Sequence, residues 1–359
     1  MEPRYNKIHL KFKLNGFNFD HEELKEVAYS LVKEGAPYEQ IIGDFLLDWL
    51  DEKDYLEIKT SGSTGLPKTF KIKKQAMVHS AITTGDFFKF EPGDTALHSL
   101  PTQFIAGKMM LVRAMILGLE LDMVEPSSHP VFDYEKAYDF GAMVPFQLQN
   151  SIKYLDNIKT IIIGGAPASK QLIDAIQDCR ANIFETFGMT ETVSHIAVRK
   201  LNNFGSSDQI STSYFKALSG ITISQDKREC LVINAPHLSN KSIITNDMIK
   251  LHSATAFEWL GRYDNIINSG GVKICPEQVE KKLEEYIDQR FFIASEEDER
   301  LGEKVILVVE DEGAQINSSA YKKIGKYEVP NEIYFISKFV QTPAGKVQRT
   351  ETLELVFKK

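Results

Sequence analysis

Residues 60–68 read Thr60-Ser61-Gly62-Ser63-Thr64-Gly65-Leu66-Pro67-Lys68, between two apolar segments that are typical of strands. The glycines let backbone N–H groups approach anionic oxygens closely, the hydroxyls donate further hydrogen bonds, and Lys68 adds a charge that suits phosphate. The stretch therefore predicts a clamp for a polyphosphate such as ATP. Pro67 stands where the common loop G-x-x-x-x-G-K-[ST] requires Gly, so an ordinary P-loop NTPase is disfavoured. Taken alone, a surface turn would explain the stretch equally well.

On both sides of this stretch, from Tyr55 onward, short strand-like and helix-like runs alternate. The strand-like runs are 56–59, 95–100, 119–124 and 159–163, and the helix-like runs are 74–88, 108–117 and 170–179. This alternation indicates an α/β protein with layered sheets rather than a bundle or a sandwich. Ligands of open sheets collect beyond the C-terminal ends of strands. Residues 60–68 and 164–167 should lie there and share one crevice.

The first residues predict strands followed by helices. Alternating apolar residues from Ile8 to Leu14 lead into Asn15-Gly16, a pair typical of a tight hairpin turn. Asp20 and Glu23 form a capping-box pattern, which predicts a helix that ends at Gly35. A second helix is expected at 41–50.

The composition indicates a globular protein. The chain has 359 residues, 43% hydrophobic and 26% charged, which is enough for two or three cores. The net charge is −8 and the pI about 5.6, which argues against a nucleic-acid partner because phosphate contacts require a broad basic surface.

Cysteine usage and hydropathy predict a cytoplasmic location. Cys179, Cys230 and Cys275 match neither a disulfide framework nor zinc-ligand spacing. Residues 1–7 contain no apolar signal core, and no later apolar run is long enough to span a bilayer. We therefore expect a protein that is not inserted in a membrane.

Four further segments accompany residues 60–68. They are Phe184-Glu185-Thr186-Phe187-Gly188-Met189-Thr190-Glu191, Thr245-Asn246-Asp247, Gly261-Arg262-Tyr263-Asp264 leading to Ser269-Gly270-Gly271-Val272-Lys273-Ile274, and Thr342-Pro343-Ala344-Gly345-Lys346. Together they resemble the adenylate-forming, AMP-binding superfamily of acyl-CoA synthetases, adenylation domains and luciferases. The resemblance extends from Tyr55 to Arg349. It implies a large N-terminal domain of layered α/β sheets at 1–264, shortened relative to the family, and a small α+β C-terminal domain at 265–359 beyond a hinge.

The resemblance assigns roles in binding ATP and Mg²⁺. Glu191 would hold Mg²⁺ against the phosphates, and Thr190 would bond the α-phosphate. Asp247 would accept hydrogen bonds from the ribose hydroxyls, with Arg262 as a complementary donor. The family usually has Gly at the position of Asn246, and Asn also tolerates left-handed backbone. The alternatives are a simple helix start at Thr190 and a surface ion pair between Asp247 and Arg262.

The adenine would lie against small residues. The resemblance places it beside Gly164, Gly165, Ala166 and Pro167, where a flat base can approach the backbone. Thr186, Phe187 and Gly188 would complete the nucleotide site, with the Phe187 ring near the base. For Phe187, core packing is the alternative.

The resemblance makes Lys346 the main catalytic residue, since the equivalent lysine of the family bridges the substrate carboxylate and the α-phosphate. Asp264 would be the hinge about which the small domain rotates, presenting Gly270, Gly271 and Lys273 for thioester formation with coenzyme A. The alternatives are a solvated tail lysine and an ordinary turn residue.

Within the superfamily, residues 100–108 and 190–195 look most like the o-succinylbenzoate:CoA ligases of menaquinone biosynthesis. Phe104 stands where that group often has His, beside the acyl pocket. Such an acid carries a second carboxylate, and Lys108, Arg113 and His195 are the candidates to hold it. Alternatively, Lys108 and Arg113 lie on a solvated helix face, and His195 is a core histidine with satisfied hydrogen bonds.

Three functions follow from these observations. The first is an ATP-dependent ligase that converts a carboxylic acid and CoA into an acyl-CoA through an acyl-adenylate. The second is an adenylation protein that loads a carrier protein. The third is a nucleotide-binding paralogue without catalysis, against which the presence of Glu191, Asp247 and Lys346 argues.

Overall fold

The computed structural model describes residues 3–59, 69–205, 214–239, 241–313, 316, 318–341 and 347–358. The chain forms two compact units. Unit 1 comprises residues 1–222 and 234–242, and unit 2 comprises residues 223–233 and 243–359. None of the helices in the described ranges is long and apolar enough to cross a membrane.

Strands and helices alternate over most of unit 1. Its elements are β1 (Lys13–Leu14), β2 (Phe17–Asn18), α1 (His21–Glu34), α2 (Pro37–Leu50), β3 (Tyr55–Lys59), β4 (Thr69–Lys73), α3 (Lys74–Phe88), β5 (Thr95–His98), α4 (Ile105–Leu117), β6 (Glu120–Met123), β7 (Tyr138–Met143), α5 (Pro145–Ser151), β8 (Ile158–Ile163), α6 (Lys170–Ala175), β9 (Asn182–Gly188), β10 (His195–Lys200) and β11 (Phe215–Ala217). Short 3₁₀ helices span Ile152–Asn157 and Thr190–Thr192.

The main sheet of unit 1 has the strand order β11-β10-β9-β8-β7-β5-β6-β1-β2. Its centre, β6-β5-β7-β8-β9, is parallel, whereas β10 and β11 are antiparallel additions. Ile162 belongs to one apolar cluster and its neighbours Ile161 and Ile163 to another, because successive side chains of a strand point to opposite faces. The parallel sheet is thus covered on both faces, which confirms the predicted α/β class.

The predicted N-terminal hairpin and helix are present. Asn15 and Gly16 both have positive φ, as a two-residue hairpin turn between β1 and β2 requires. The side chain of Asp20 accepts hydrogen bonds from the backbone of α1, and Glu23 bonds back to the Asp20 N–H at 2.8 Å. The alternation from Ile8 overstated the strand, since β1 contains only two residues.

One sheet prediction requires correction, and one strand was missed. The strand at Tyr55–Lys59 does not join the main sheet, because it pairs antiparallel with Thr69–Lys73 in a separate two-stranded sheet. The strand Tyr138–Met143 was not predicted from sequence. This segment contains a glycine, which disfavours a strand. It forms one because it lies in the centre of the sheet and pairs with β5 on one side and β8 on the other.

Unit 2 contains two antiparallel-rich sheets. Its elements are β12 (Thr222–Gln225), β13 (Cys230–Asn234), β14 (Ile243–Ser253), β15 (Ala256–Arg262), β16 (Ile267–Ser269), β17 (Val272–Ile274), α7 (Pro276–Leu283), β18 (Phe291–Asp298), β19 (Gly302–Glu310), β20 (Glu332–Ile336) and α8 (Arg349–Phe357), with 3₁₀ turns at Tyr263–Asn265 and Ser318–Lys323. The strand orders are β12-β13-β14-β15 and β17-β16-β19-β18, with β20 beside β19.

The residues after the predicted hinge have the α+β character expected of them. Helix α7 buries Val279 and Leu283 against Ile293 and Leu307 of the second sheet. Unit 2 also includes strands that precede Asp264. These are the eleven-residue strand β14 and the seven-residue strand β15, which pair with each other. The compact unit therefore begins earlier than residue 265, and a hinge at Asp264 stays a prediction.

Candidate active site

Two groups of predicted site residues lie outside the described residues. These are the loop Thr60, Ser61, Gly62, Ser63, Thr64, Gly65 and Lys68, and the lysine Lys346. The remaining candidates divide between unit 1 and unit 2, and each group is described within its own unit.

The loop Gly164-Gly165-Ala166-Pro167 begins directly after β8, at the C-terminal end of a central parallel strand, as predicted. A Cβ on Gly164 would lie 2.5 Å from Oγ1 of Thr186, so this position admits only glycine without a shift. The Thr186 hydroxyl donates to the Ile163 carbonyl at 2.9 Å. Gly165 has φ of +88°, which favours glycine again. The two glycines have no side chains, so a flat ligand could approach the backbone of this loop closely.

A buried carboxylate that was not predicted from sequence holds this loop. Glu185, on β9, accepts a hydrogen bond from the Ala168 N–H at 2.9 Å and pairs with the guanidinium of Arg199 on the neighbouring strand. Its side chain is buried, and Arg199 also lies over the Phe215 ring at 5.2 Å. A charged residue at a buried strand position was the available signal, because such a residue is buried only when paired.

Phe187 has an aromatic partner in the structure. Its ring centroid lies 5.7 Å from that of Phe215, with the rings tilted by 60°. Phe187 is half-buried, so one part of the ring packs in unit 1 while another part stays accessible. This arrangement accommodates both core packing and a role beside a base.

The segment after β9 is held by an unusual turn. The N–H of Ser194 donates to the Thr192 carbonyl at 2.7 Å across Val193, which has φ of +67° and ψ of −50°. These values define a γ-turn of positive φ, which is rare and strained for a β-branched residue. A Cβ on Gly188 would lie 2.5 Å from the Ser194 carbonyl and 2.6 Å from Cα of His195, so glycine is required there.

This turn orients Thr190 and Glu191. Thr192 is fully buried, and its hydroxyl accepts the Met189 N–H at 2.9 Å and lies 2.8 Å from the Ser194 carbonyl. Glu191 is exposed, and its carboxylate makes no hydrogen bond within the described part of the chain. A carboxylate displayed in this way fits the hard oxygen ligand that Mg²⁺ prefers.

Replacing Thr192 with Val should lower the stability of unit 1 by about 1–3 kcal/mol, because buried backbone groups lose their hydrogen-bond partner. Urea unfolding measures this. Thr160→Val is the matched control, since Thr160 is also buried but its hydroxyl makes no hydrogen bond to any described residue. Equal effects of the two substitutions would contradict the role given to Thr192.

Arg113 and His195, two of the predicted acid-binding residues, meet inside unit 1. Arg113 is 2% exposed, and Nη2 donates to Ser194 Oγ at 2.7 Å and lies 3.4 Å from Nδ1 of His195. Thr84 lies between them, 3.4 Å from both Arg113 Nε and His195 Nε2. Arg113 therefore does not lie on a solvated helix face, because α4 is buried on nearly all sides.

The electrostatics of this cluster keep His195 neutral. Burial lowers the pKa of Arg113 to about 9, so the guanidinium remains charged at pH 7. Burial and then the Arg113 charge lower the pKa of His195 well below its ordinary value. Among the described residues, no carboxylate pairs with Arg113, whose charge is met by Ser194, Thr84 and the imidazole.

The other two acid-binding candidates lie elsewhere in unit 1. Lys108 Nζ lies 5.1 Å above the Phe45 ring of α2, and burial lowers its pKa although Asp48 and Asp44 oppose the shift. Phe104 is the N-cap residue of α4 and is half-buried. The structure brings together Arg113 and His195 but shows no contact of Lys108 with them.

In unit 2, strand pairing places Asp247 directly opposite Arg262. The buried Asp247 carboxylate accepts from Arg262 Nη1 at 3.3 Å and from the indole N–H of Trp259 at 3.0 Å. Trp259 was not predicted from sequence. The sequence alone could not have identified Trp259, because its contact with Asp247 depends on how β14 and β15 pair.

The predicted hinge residue has partners within unit 2. The amide of Asn246 donates to both oxygens of Asp264, at 3.1 and 3.0 Å, and Arg262 Nη2 reaches Asp264 at 3.2 Å. Arg228 donates to Asn246 Oδ1 at 2.8 Å. Asn246 does not have the left-handed backbone that was considered for it, because it lies within strand β14. Its side chain instead holds Asp264.

The residues predicted for the thioester step form a hairpin tip. Gly270 and Gly271 connect β16 and β17 with φ of +57° and +83°, a two-residue turn that requires glycine or a similarly tolerant residue. Lys273 follows on β17 and is exposed.

Ligands of parallel α/β sheets bind beyond the C-terminal ends of the strands, where this chain has a glycine loop after β8 and an exposed carboxylate after β9. The model of the AMP-binding enzyme family matches residues 55–214. The acyl-CoA synthetase (AMP-forming)/AMP-acid ligase II-like protein from Dyadobacter fermentans DSM 18053 is 34% identical, over 92% of this chain and 98% of that chain, with a TM-score of 0.61. The chain therefore belongs to the AMP-binding acyl-CoA synthetase family.

Two further relatives are similar at lower identity. The 2-succinylbenzoate–CoA ligase of Listeria monocytogenes serotype 4b (strain F2365) is 27% identical over an alignment of 400 positions. The alignment covers 99% of this chain and 82% of the relative. The O-succinylbenzoate coenzyme A synthetase (MenE) of Bacillus subtilis, in complex with ATP and magnesium ion, is 18% identical with a TM-score of 0.70, over 83% of this chain and 69% of that one. This second likeness is one of fold.

Proposed function

We propose that this chain is an ATP-dependent acid:CoA ligase whose acid is 2-succinylbenzoate. A carboxylate oxygen of the acid attacks the α-phosphorus of ATP, and the bond to the β-phosphate breaks to release pyrophosphate. The thiol of CoA then attacks the acyl carbon, and AMP leaves. The observation that carries the substrate is the similarity of 99% of the chain to a 2-succinylbenzoate–CoA ligase.

In unit 1 the proposed nucleotide site consists of the bare backbone at 164–167 together with Thr186, Phe187 and Gly188. Thr190 bonds the α-phosphate, and Glu191 holds Mg²⁺, which when bound neutralises phosphate charge. The exposed position of Glu191 and the lack of room for a Cβ at Gly164 support these roles. We assign residues 60–68 to the phosphates because their glycines, hydroxyls and lysine suit anionic oxygens.

In unit 2 the proposed ribose ligands are Asp247 and Arg262. Trp259 and Arg262 fix the carboxylate of Asp247 from two directions and leave further lone pairs for the ribose hydroxyls. Trp259 is therefore a positioning residue. Residues 265–359 carry Lys346 for adenylation, and Gly270, Gly271 and Lys273 serve the thioester step.

Replacing Trp259 with Phe should raise KM for ATP about 10-fold and leave kcat nearly unchanged, because one hydrogen bond to a charged acceptor is lost while the ring remains. Steady-state kinetics with ATP varied measure this. Trp49→Phe is the matched control, since the Trp49 N–H is buried without a partner among the described residues. An unchanged KM for ATP in Trp259→Phe would contradict the role of Trp259.

The decisive experiment offers ATP, CoA and a panel of carboxylic acids and follows pyrophosphate and thioester. Turnover of 2-succinylbenzoate to AMP and a thioester is expected. Transfer to a phosphopantetheinylated carrier protein without use of free CoA would support the adenylation protein instead. ATP binding without pyrophosphate exchange for any acid would support the non-catalytic paralogue.

A cytoplasmic location is part of this proposal. Cys179, Cys230 and Cys275 are free thiols, which suits a reducing compartment, and ATP and CoA are supplied there.

A further inference from the structure

A large groove lies in unit 1, at the edge of the main sheet opposite the glycine loop. Its volume is about 630 Å³, which is in the range of small-molecule sites. Strand β9 begins at Asn182 and ends at Gly188, and it lines the groove with Asn182 and Phe184. At a rise of about 3.3 Å per residue, Phe184 lies roughly 13 Å along the strand from Gly188. The groove is therefore separate from the proposed nucleotide site.

Two lysines project into this groove from neighbouring strands of the sheet. In the pairing of the strands, Lys200 of β10 lies directly opposite Phe184 of β9, and Lys216 of β11 lies opposite Val198 of β10. Since residues two apart on a strand point to the same face, Lys200 and Lys216 are on one face in diagonal positions. Diagonal neighbours lie about 7–8 Å apart, a separation at which one anionic group can contact both ammonium groups.

A third lysine comes from the end of helix α3. Lys89 is the C-cap residue of this helix and has left-handed backbone, with φ of +58° and ψ of +45°. Glycine is the usual residue in that conformation, so the lysine is not there for the sake of the cap. Among the described residues that line the groove there are three lysines and no acidic side chain. This cluster stands out in a chain of net charge −8 and favours an anionic ligand.

Aromatic side chains lie beside these lysines. The Phe184 ring meets the rings of Phe87 and Phe88 edge-on, with centroids 6.4 and 5.1 Å apart. Phe87 is 38% exposed and Phe204 is 36% exposed, although both are large apolar side chains. Tyr214 also lines the groove. Apolar side chains that are grouped and exposed in this way mark a surface that binds a partner or a ligand.

We propose that this groove binds a planar aromatic anion, such as an aryl carboxylate or an aryl sulfonate. The acid group contacts Lys200 and Lys216, and the ring packs against Phe184 and Phe204. The inference does not depend on the ligase function, because the groove shares no residue with the proposed nucleotide, acid or thioester sites.

Isothermal titration calorimetry with naphthalene-2-sulfonate tests the proposal on the full chain. Binding of this probe is expected, whereas 2-naphthol lacks the charge, cyclohexanesulfonate lacks the aromatic ring, and both should bind at least about 10-fold more weakly. No binding of naphthalene-2-sulfonate, or equal binding of all three compounds, would overturn the proposal.

The double variant Lys200→Gln/Lys216→Gln should weaken binding of naphthalene-2-sulfonate about 10-fold, because the charged donors are lost. Lys7→Gln/Lys153→Gln is the matched control, since these are exposed lysines of unit 1 outside the groove. The control should bind as the wild-type chain does. Equal weakening in the two double variants would show a general charge effect and refute the site.

Phe204→Ala tests the aromatic part of the groove without removing a buried side chain. It should weaken binding of naphthalene-2-sulfonate about 5-fold. The matched control is Phe146→Ala, since Phe146 is an exposed phenylalanine of unit 1 on α5, outside the groove. An unchanged affinity in Phe204→Ala would contradict the ring contact.

A titration in the presence of Mg²⁺ and a non-hydrolysable ATP analogue separates the groove from the nucleotide site. The affinity for naphthalene-2-sulfonate should stay the same, because the two sites lie at opposite ends of β9. Loss of binding in the presence of the analogue would place the probe in the nucleotide site and overturn the proposal. Retained binding in a chain that proves inactive as a ligase would support the groove while refuting the proposed function.

Discussion

Replacing Lys346 with Ala should slow acyl-adenylate formation about 10²- to 10³-fold, because the variant lacks the cation that we propose stabilises the negative charge developing in this step. Thioester formation from preformed acyl-adenylate should change far less, since that step does not build charge between the carboxylate and phosphorus. Pyrophosphate exchange measures the first half-reaction, and transfer from synthetic acyl-AMP to CoA measures the second.

Lys338→Ala is the matched control for Lys346, since Lys338 is an exposed lysine of the same C-terminal region. It should leave both half-reactions unchanged. Equal losses in both half-reactions of the Lys346 variant would show that this lysine does not act in adenylation alone, and the assignment would then fail.

Replacing Glu185 with Ala should destabilise unit 1 by about 3–5 kcal/mol, because Arg199 then remains without its buried partner. The Ala168 N–H also loses its acceptor, so the loop at 164–167 should become less ordered and KM for ATP should rise. The expected loss is the largest stability effect predicted for this chain.

Tryptophan fluorescence can report this loss for unit 1 alone. The chain has two tryptophans, and Trp259→Phe leaves only Trp49, which is buried in α2 of unit 1. Urea unfolding of Glu185→Ala in that background gives the free energy of unfolding. Glu120→Ala is the control, since the half-exposed pair of Glu120 with Lys13 should contribute less than about 1 kcal/mol. Similar losses in the two variants would refute the importance of Glu185.

Local features of the fold were readable from the sequence because each depends on neighbours in the chain. The hairpin at Asn15 and Gly16 needs only residues that tolerate positive φ, and the start of α1 needs only Asp20 and Glu23. Helix α3 was predicted at 74–88 and is found at Lys74–Phe88. By contrast, β7 was missed, because its stability comes from the strands on either side.

The positions of some site residues could be predicted from the sequence, but their contact partners could not. The positions of Gly164 and Gly165 beyond β8 followed from the rule that ligands gather at the C-terminal ends of parallel strands. The partners of the site residues did not follow, since Trp259 meets Asp247 only through the register of β14 and β15. A register is a property of two strands together and is not encoded in either alone.

By itself the sequence indicated the class of chemistry, because residues 60–68 contain the glycines, hydroxyls and lysine that suit phosphate and the later segments resemble those of a known family. The α/β alternation likewise follows from local periodicity. Only the tertiary structure decided which side chains meet. Arg113 and His195 stand 82 residues apart in sequence and 3.4 Å apart in space, and burial then determines that one stays charged while the other stays neutral. Such contacts depend on strand order and desolvation, which exist only once the whole sheet has formed.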